Sequence, residues 1–336
     1  MNKKPIKIKF QNGLNYQWSV KEIFAELLDE FEFIDSNAPD FIIFGPYGND
    51  IPPKGNYTRI GYFCENIKPD LSICEWAFGM PREEDVKHAN YKRIQWHGLN
   101  PQELIKGPDY EAEKILASKT KFCNFLYSHH VPYRETFFTQ LSEYKRVDAP
   151  GKSMNNMPGI DDLYKGDMWE VKRQFLSPYK FTIAFENDIY PGYQTEKLYD
   201  AMLTQSIPIY FGDPFISDVF NTKSFLNVSE YLPQKKRELS AKLSRVVQMD
   251  FEDIRPAHLK GFKHSIKRKV KSWGRSFKNN LYADGMDFKP LIDRIIELDT
   301  QPGLYLQYLK QPWLNNNRLD ERFSTKKRWA EIFNSK

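Results

Sequence analysis

The sequence predicts an α/β protein with two layered domains and parallel strands. Domains usually contain about 100–200 residues, so the 336 residues of the chain favour two of them. Hydrophobic residues make up 40% of the chain, which is enough for two cores. Short apolar runs alternate with stretches of helical periodicity, and a strand–helix–strand order is typical of parallel sheets.

The N-terminal third contains four candidate short strands, of which residues 41–44 are a continuous apolar run. These candidates cover residues 6–10, 41–44, 59–64 and 73–78. Between the first two, apolar residues recur at helical spacing after Ser19, which predicts a helix over residues 20–31. Residues 108–119 are polar and helical in character, and we interpret them as a connector.

The clearest pattern lies between residues 179 and 212. A strand at 121–127 and a long loop at 147–167, rich in Gly, Pro, Asn and Asp, come before it. The runs KFTIAF (180–185) and IPIYF (207–211) then predict strands on either side of a helix at 196–204. The connecting loop of this βαβ unit follows the carboxyl end of a strand, where ligands bind in open α/β sheets.

Charge and cysteine content indicate which cellular compartment and which partners to expect. The net charge of +5 is mild and no recognised nucleic-acid module is present, so we expect no nucleic-acid partner. Cys64, Cys74 and Cys123 are too few for a disulfide framework, which favours a reducing compartment. The start MNKKPIKIKF has no apolar signal core, and no run approaches the roughly 18 apolar residues of a membrane span. These features predict a cytoplasmic protein.

Residues 260–278 predict an amphipathic basic helix. They carry eight basic residues, and Phe262, Ile266, Val270, Trp273 and Phe277 recur three or four positions apart. Two interpretations stay open. The helix packs on the core with a solvated basic face, or it contacts an anionic membrane as a peripheral element at the inner membrane surface.

The loop at residues 186–197 concentrates polar side chains just before the predicted helix. Thr195 is placed to cap that helix, whose free N–H groups attract phosphate. Lys197 adds a positive charge in the first turn, and Glu196 is suited to accept hydrogen bonds from ribose hydroxyls. The alternative is an ordinary capped helix with solvated charges.

Three segments resemble the α1,3/4-fucosyltransferase family, in particular its bacterial members. Residues 179–214, YKFTIAFENDIYPGYQTEKLYDAMLTQSIPIYFGDP, resemble its donor-binding signature, with ENx followed by Y-x-TEK and a Pro-containing strand. Residues 121–151 resemble its K-F-C-x-F-x-x-S strand, an Arg and a Y-K-x-V-D segment. Residues 61–79, GYFCENIKPDLSICEWAFG, are similar to its E-N-x-x-P-[DN] motif on the acceptor side.

This resemblance implies a GT-B arrangement, in which two Rossmann-like domains face each other across a cleft. Residues 1–117 are then expected to bind the acceptor and residues 118–304 to bind GDP-fucose, with a C-terminal helix at 305–336 packing back on the first domain. It also implies an inverting single displacement with no cofactor and no essential metal. The sequence contains no Asp-x-Asp motif, and its six His show no clear metal-ligand spacing.

The resemblance also assigns roles to individual residues. The donor-contacting positions are Arg134, Glu186, Asn187, Tyr193, Glu196 and Lys197. Of these, Arg134 and Lys197 match the cations that stabilise the departing diphosphate, and Glu196 matches the ribose contact. The alternative for Arg134 is a surface charge at a helix end.

Two acidic positions complete this assignment. Glu65 matches the family's proposed catalytic base, and it follows a predicted strand; the alternative is a loop carboxylate paired with Lys68. Glu186 competes as a base, and we expect it to have a structural or fucose-contacting role.

The chain departs from the family pattern at two places. The usual Ser after Glu-Asn is Asp188, which adds negative charge near the expected diphosphate, and the usual Ala-Gly pair is Gln205-Ser206. These changes keep two alternatives open: a related enzyme that uses another nucleotide sugar, and a non-catalytic carbohydrate-binding relic. By resemblance, the acceptor is a glycan containing N-acetylglucosamine, modified at O3 or O4. Residues 80–110, with Trp96 and His97, are expected to form part of its surface.

Overall fold

The computed structural model describes residues 3–233 and 242–336, which are built around two open parallel sheets. The strands of the N-terminal part are β1 (Lys4–Gln11), β2 (Phe31–Asp35), β3 (Phe41–Phe44), β4 (Thr58–Phe63), β5 (Ile67–Lys68), β6 (Trp76–Gly79) and β7 (Tyr91–Arg93). Six of them form a sheet in the order β2-β1-β3-β4-β6-β7, with every pair parallel. The helices here are α1 (Tyr16–Ile23), α2 (Glu83–Val86) and α3 (Ala112–Ser118).

The second sheet has five parallel strands in the order β12-β11-β10-β8-β9. They are β8 (Lys121–Asn124), β9 (Val147–Asp148), β10 (Tyr179–Phe185), β11 (Ile207–Phe211) and β12 (Leu226–Asn227). Helices α4 (Pro132–Tyr144), α5 (Ile160–Leu163), α6 (Met168–Leu176) and α7 (Glu196–Leu203) connect them. The predicted βαβ unit is present, because β10 pairs directly with β11 after α7.

The remaining described residues are mainly helical. They form β13 (Met249–Asp250), α8 (Phe251–Ile254), α9 (Pro256–Leu259), α10 (Phe262–Gly285), α11 (Lys289–Thr300), α12 (Pro302–Lys310) and α13 (Lys326–Asn334). Strand β13 pairs with β5, so this region touches the first domain. Within the described residues, no helix has both the length and the apolar composition needed to cross a bilayer.

The helix predicted over residues 20–31 is wrong in its bounds. Helix α1 begins earlier, because the Asn15 side chain accepts a hydrogen bond from the Trp18 N–H. It ends at Ile23, and a short 3₁₀ turn at Ala25–Leu27 follows. Phe31 then enters an edge strand that pairs with β1. The apolar residues that suggested one helix are therefore shared between a helix, a turn and a strand.

Two other expected elements also differ. The predicted loop at 147–167 includes β9 and α5, and its start joins the sheet edge beside β8. Residues 305–336 form two separate helices rather than one. The first, α12, packs in the second domain, whereas α13 places Trp329, Ile332 and Phe333 in the core of the first. Trp329 stacks on Phe78 with ring centroids 3.9 Å apart.

The amphipathic helix α10 turns its apolar stripe outward. Phe262, Val270 and Trp273 are exposed by 83%, 62% and 76%, and Ile266 and Phe277 are also exposed. The helix does pack on the core, but not through this apolar stripe. A different face of α10 packs inward, through residues such as Lys278 and Tyr282.

Candidate active site

A loop at the carboxyl edge of the second sheet carries Glu186, Asn187 and Tyr193 and leads into the helix that carries Glu196 and Lys197. We call residues 186–195 the β10–α7 loop, because they join those two elements. Gly192 forms its turn at φ +85°, and a Cβ atom there would lie 2.8 Å from the main-chain oxygen of Met80 in the first domain. The loop thus needs a glycine where it meets the other domain.

Glu186 holds the two ends of this loop together. Its carboxylate is fully buried and accepts hydrogen bonds from the Thr195 N–H at 2.8 Å and the Thr195 hydroxyl at 2.7 Å. Burial raises its pKa, although the nearby Lys197 charge opposes that shift. Thr195 occupies the N-cap position, but within the described residues its hydroxyl accepts no hydrogen bond from a backbone N–H of the helix; it accepts one from the Lys197 ammonium at 2.9 Å. The expected side-chain cap is therefore replaced by a bond that closes the loop.

Arg134 is fully buried in the first turn of α4 and points at the same loop. Its Nη2 donates to the Glu186 carbonyl at 3.1 Å and to Asn187 Oδ1 at 3.0 Å. Its guanidinium carbon lies 3.8 Å from the centre of the Tyr127 ring. These contacts contradict the alternative of a surface charge at a helix end.

The same guanidinium has unused donors. Among the described residues, neither Nε nor Nη1 of Arg134 has a hydrogen-bond partner, although both atoms are buried. A buried donor without a partner costs free energy, and more so on a charged group. An anion with several oxygen atoms, such as a phosphate, would satisfy both atoms and offset the charge.

Lys197 and Glu196 form a charged pair at the N-terminus of α7. The Lys197 ammonium lies 3.4 Å from Glu186 and 3.5 Å from Glu196, and Lys172 lies 3.6 Å from Glu196. Burial alone would raise the pKa of Glu196, but the two lysines outweigh it and lower that pKa to about 2. Burial would likewise lower the pKa of Lys197, but the two carboxylates raise it overall. Both side chains therefore stay charged near neutral pH.

Glu65 follows β4 at the carboxyl edge of the first sheet. It accepts a hydrogen bond from the Tyr47 hydroxyl, whose pKa is raised by burial and by this contact. Lys68 instead donates to the Arg245 carbonyl at 3.1 Å, so the alternative pairing of Glu65 with Lys68 is not formed. Burial raises the pKa of Tyr193, and the charges of Glu186 in the second domain and Glu65 in the first add to this shift.

Tyr47 is the site residue that the sequence analysis missed. It follows β3, and Glu65 follows β4, which is the parallel neighbour of β3. Residues that come just after adjacent parallel strands meet at one edge of the sheet. That rule was available from the sequence, and applied to the segment GPYGND it would have indicated Tyr47.

Polar contacts between the domains fix the loop against the first sheet. Arg93 Nη2 donates to the Gly192 carbonyl at 3.0 Å and lies 3.5 Å from Asp213. Gln95 donates to Gln194, next to Tyr193. These contacts keep Tyr193 close to the domain that carries Glu65.

A cavity of about 330 Å³ opens in the first domain and is lined in part by Tyr62, Trp96 and Glu22. The His97 ring lies beside it, with Nδ1 3.1 Å from the Tyr62 hydroxyl. Burial lowers the pKa of His97, and the charges of Glu22 and Glu65 oppose this shift.

The structure brings together two of the six histidines, which the sequence spacing did not suggest. Ligand atoms of Glu252, His258 and His264 lie within 4.8 Å of one another, and the two imidazole rings stack with centroids 4.2 Å apart. This group lies on α8, α9 and the first turn of α10, away from the β10–α7 loop in the chain.

Two Rossmann-like domains joined across a cleft form the GT-B fold, the class that the sequence predicts. Residues 116–253 match the family model "Glycosyltransferase family 10 (fucosyltransferase) C-term". The resemblance to α1,3/4-fucosyltransferases is therefore confirmed.

Similar proteins support this result. The chain is 37% identical over 225 residues to Alpha-(1,3)-fucosyltransferase FucT of Helicobacter pylori, covering 57% of this chain and 45% of that protein. It is 32% identical over 125 residues to GDP-fucose protein O-fucosyltransferase 3 of Bos taurus, covering 36% and 25%. It thus spans less than half the length of these relatives. An alpha1,3-fucosyltransferase crystal structure with GDP-fucose matches at TM-score 0.63 and 21% identity, covering 99% of this chain and 90% of that one.

Proposed function

We propose that the protein transfers fucose from GDP-fucose to a hydroxyl of an acceptor. The observation that carries this proposal is Arg134, a buried guanidinium with two unpartnered donors at the carboxyl edge of a parallel sheet. Lys197, in the first turn of α7, contributes a second cation. The names of the relatives support GDP-fucose as the donor.

The loop residues take distinct roles in this proposal. Arg134 and Lys197 hold the diphosphate and stabilise the negative charge that develops as GDP leaves. Glu196 accepts from the ribose hydroxyls, and Asn187 and Tyr193 contact the donor. Because both oxygens of Glu186 are used within the protein, the geometry favours its structural role over a fucose contact.

Glu65 is the proposed base for an inverting displacement. It takes the proton from the acceptor hydroxyl while that oxygen bonds to C1 of fucose, and the bond from C1 to the diphosphate oxygen breaks on the opposite face. The pair of electrons leaves with GDP, against Arg134 and Lys197. Tyr47 donates to one oxygen of Glu65 and thereby orients the other. The protein cations supply the charge for this step, and we propose that no metal is essential.

We propose that the acceptor contains N-acetylglucosamine, modified at O3 or O4, and binds at the cavity beside Trp96. An aromatic face and several carboxylates suit a sugar, because they offer apolar stacking and hydrogen-bond acceptors together. Glu22, Tyr62 and Trp96 line this cavity, and the His97 ring contacts Tyr62. A protein hydroxyl is the second candidate acceptor, favoured by the similarity to a protein O-fucosyltransferase.

We also propose that α10 contacts an anionic membrane from the cytoplasmic side. Its exposed apolar stripe includes Phe262 at 83% and Trp273 at 76%, and lysines and arginines border it. Such helices bind in the plane of the lipid headgroups through apolar burial and charge attraction. In co-sedimentation with vesicles, F262S/W273S should lose binding to anionic vesicles, whereas W18S, at a Trp on α1 that is 67% exposed, should keep it. Equal binding by both variants would contradict this contact.

Calorimetric titration tests the donor assignment. The protein is titrated with GDP, GDP-fucose, GDP-mannose and UDP sugars, with EDTA present. Binding of GDP and GDP-fucose alone supports the proposal, and an acceptor screen with glycans and peptides then follows. Preference for another nucleotide sugar would move the assignment to a related glycosyltransferase. Nucleotide binding without transfer to any acceptor would favour a non-catalytic relic, and no guanine-nucleotide binding would refute the proposed function.

A further inference from the structure

Lys278 is a buried cation on the inner face of α10, and it meets the β10–α7 loop. Its side chain is only 1% exposed. The ammonium forms an ion pair with Asp188 and donates to the Ile189 carbonyl at 3.2 Å. It also lies 3.3 Å from the Ser244 hydroxyl, which donates to the same carbonyl at 2.7 Å. The Tyr190 ring centre is 4.0 Å from the ammonium.

This arrangement explains the departure at Asp188, where the family pattern has Ser. The extra carboxylate does not face the expected diphosphate as a free negative charge, because Lys278 neutralises it. A buried charge is tolerated when its partner is in place, and it becomes costly when that partner is removed. The acid and the lysine therefore act as one unit, although they lie 90 residues apart in the chain.

The pair holds the loop next to the residue that Arg134 contacts. Asp188 directly follows Asn187, whose Oδ1 accepts from Arg134. One turn after Lys278, Tyr282 packs edge-on against Tyr133 and Phe211, with ring centroids 5.9 and 5.3 Å away. Helix α10 thus contacts both the loop and the helix that carries Arg134.

We propose that Asp188 and Lys278 are a positioning pair, which holds the β10–α7 loop against α10 so that Asn187 and Arg134 meet the donor. This inference rests on the proposed use of GDP-fucose. Neither residue touches the donor, and the pair acts through the main chain of residues 187–190. The pair sets donor affinity rather than the chemical step.

A double-mutant cycle tests the pair through D188S, K278M and D188S/K278M. K278M leaves Asp188 buried without its cation. We expect the KM for GDP-fucose to rise about tenfold, which is within the usual range of coupling between neighbouring residues. We expect kcat to stay nearly unchanged. The double variant restores the neutral Ser of the family pattern, and its KM should return to within about threefold of wild type. A merely structural role would lower the thermal stability of K278M and restore it in the double variant, while the KM for GDP-fucose stayed at the wild-type value in both.

The matched control is K271M on the same helix. Lys271 pairs with Asp250 and Asp253 at 2.8 Å each and does not contact the loop. This variant loses ion pairs of α10 but should keep the wild-type KM. A similar KM increase in K271M, or no rescue in the double variant, would overturn the positioning role.

Hydrogen exchange separates this inference from the donor assignment. The amides of residues 188–190 and of Gly192 should exchange faster in K278M and return towards wild-type rates in D188S/K278M, with no nucleotide present. If the wild-type protein binds no guanine nucleotide while this exchange pattern is seen, the proposed function is refuted, but the Asp188–Lys278 pair still holds the loop against α10. If exchange is the same in all three proteins, the pair does not hold the loop.

Discussion

Replacing Arg134 by Met tests the proposed donor site most directly. Met keeps much of the side-chain volume and removes the charge, the two unpartnered donors and the bonds to Glu186 and Asn187. A hydrogen bond to a charged group contributes about 1.5–3 kcal/mol. If Nε and Nη1 each bind a phosphate oxygen, the loss is about 3–6 kcal/mol, or roughly 10²- to 10⁴-fold in kcat/KM.

The same substitution has a smaller expected effect on folding. The variant loses two internal hydrogen bonds but no longer buries two unsatisfied donors, and these changes partly offset each other. Its thermal midpoint should therefore stay close to that of wild type while GDP binding is lost. A Lys at this position keeps the charge but not the planar fork, so R134K should recover only part of the activity.

Calorimetry with GDP and steady-state kinetics with GDP-fucose measure these effects. The control is R146M, because Arg146 is exposed and pairs with Asp148 at the far end of α4. If R134M binds GDP within about twofold of wild type, the unpartnered donors do not meet the diphosphate, and the reasoning from burial is refuted. If R134M loses GDP binding because it unfolds, its thermal midpoint will fall. In that case the partial activity of R134K tests the role of the charge in a folded protein.

Three further outcomes are expected. E65Q should lose most of its kcat and keep its GDP affinity, and turnover near the wild-type rate would exclude Glu65 as the base. W96A should raise the KM for the acceptor more than the KM for the donor, and the reverse would remove Trp96 from the acceptor site. The folded pKa of Glu196 is about 2, below its ordinary value of 4.5, so its contribution to stability is present above pH 4.5 and is lost as pH falls towards 2. Chemical denaturation should show E196Q destabilised at pH 7 but much less at pH 2.5, and an equal deficit at both would contradict the pairing with Lys197 and Lys172.

The part of the site that could be predicted is local in sequence or follows from sheet geometry. The βαβ unit is continuous, so the strand, the polar loop and α7 were predicted in order, and β10 and β11 begin and end within a residue of expectation. Phe31 shows the opposite case. Its spacing fits the preceding helix, but pairing with β1 places it in a strand, and spacing alone carries no information about that partner.

Contacts between distant segments explain what the sequence did not show. Lys278 looked like one of eight charges on an amphipathic helix, and only the packing of α10 distinguishes it from its solvated neighbours. Periodicity likewise indicated an apolar stripe on that helix but not whether another element covers it. The motif positions identified Asp188 as unusual, and its partner became visible only in three dimensions.

Helix α13 makes the first domain discontinuous along the chain. Trp329, Ile332 and Phe333 complete a core whose other members precede residue 95, and the whole second domain lies between these two parts. A fragment that ends after the N-terminal sheet would expose Phe24, Phe33 and Phe78 at the site that α13 fills. To express the first domain alone, α13 would have to be connected by a linker to the end of the N-terminal sheet. A tag or fusion placed directly after α13 is attached to the first domain rather than to the second.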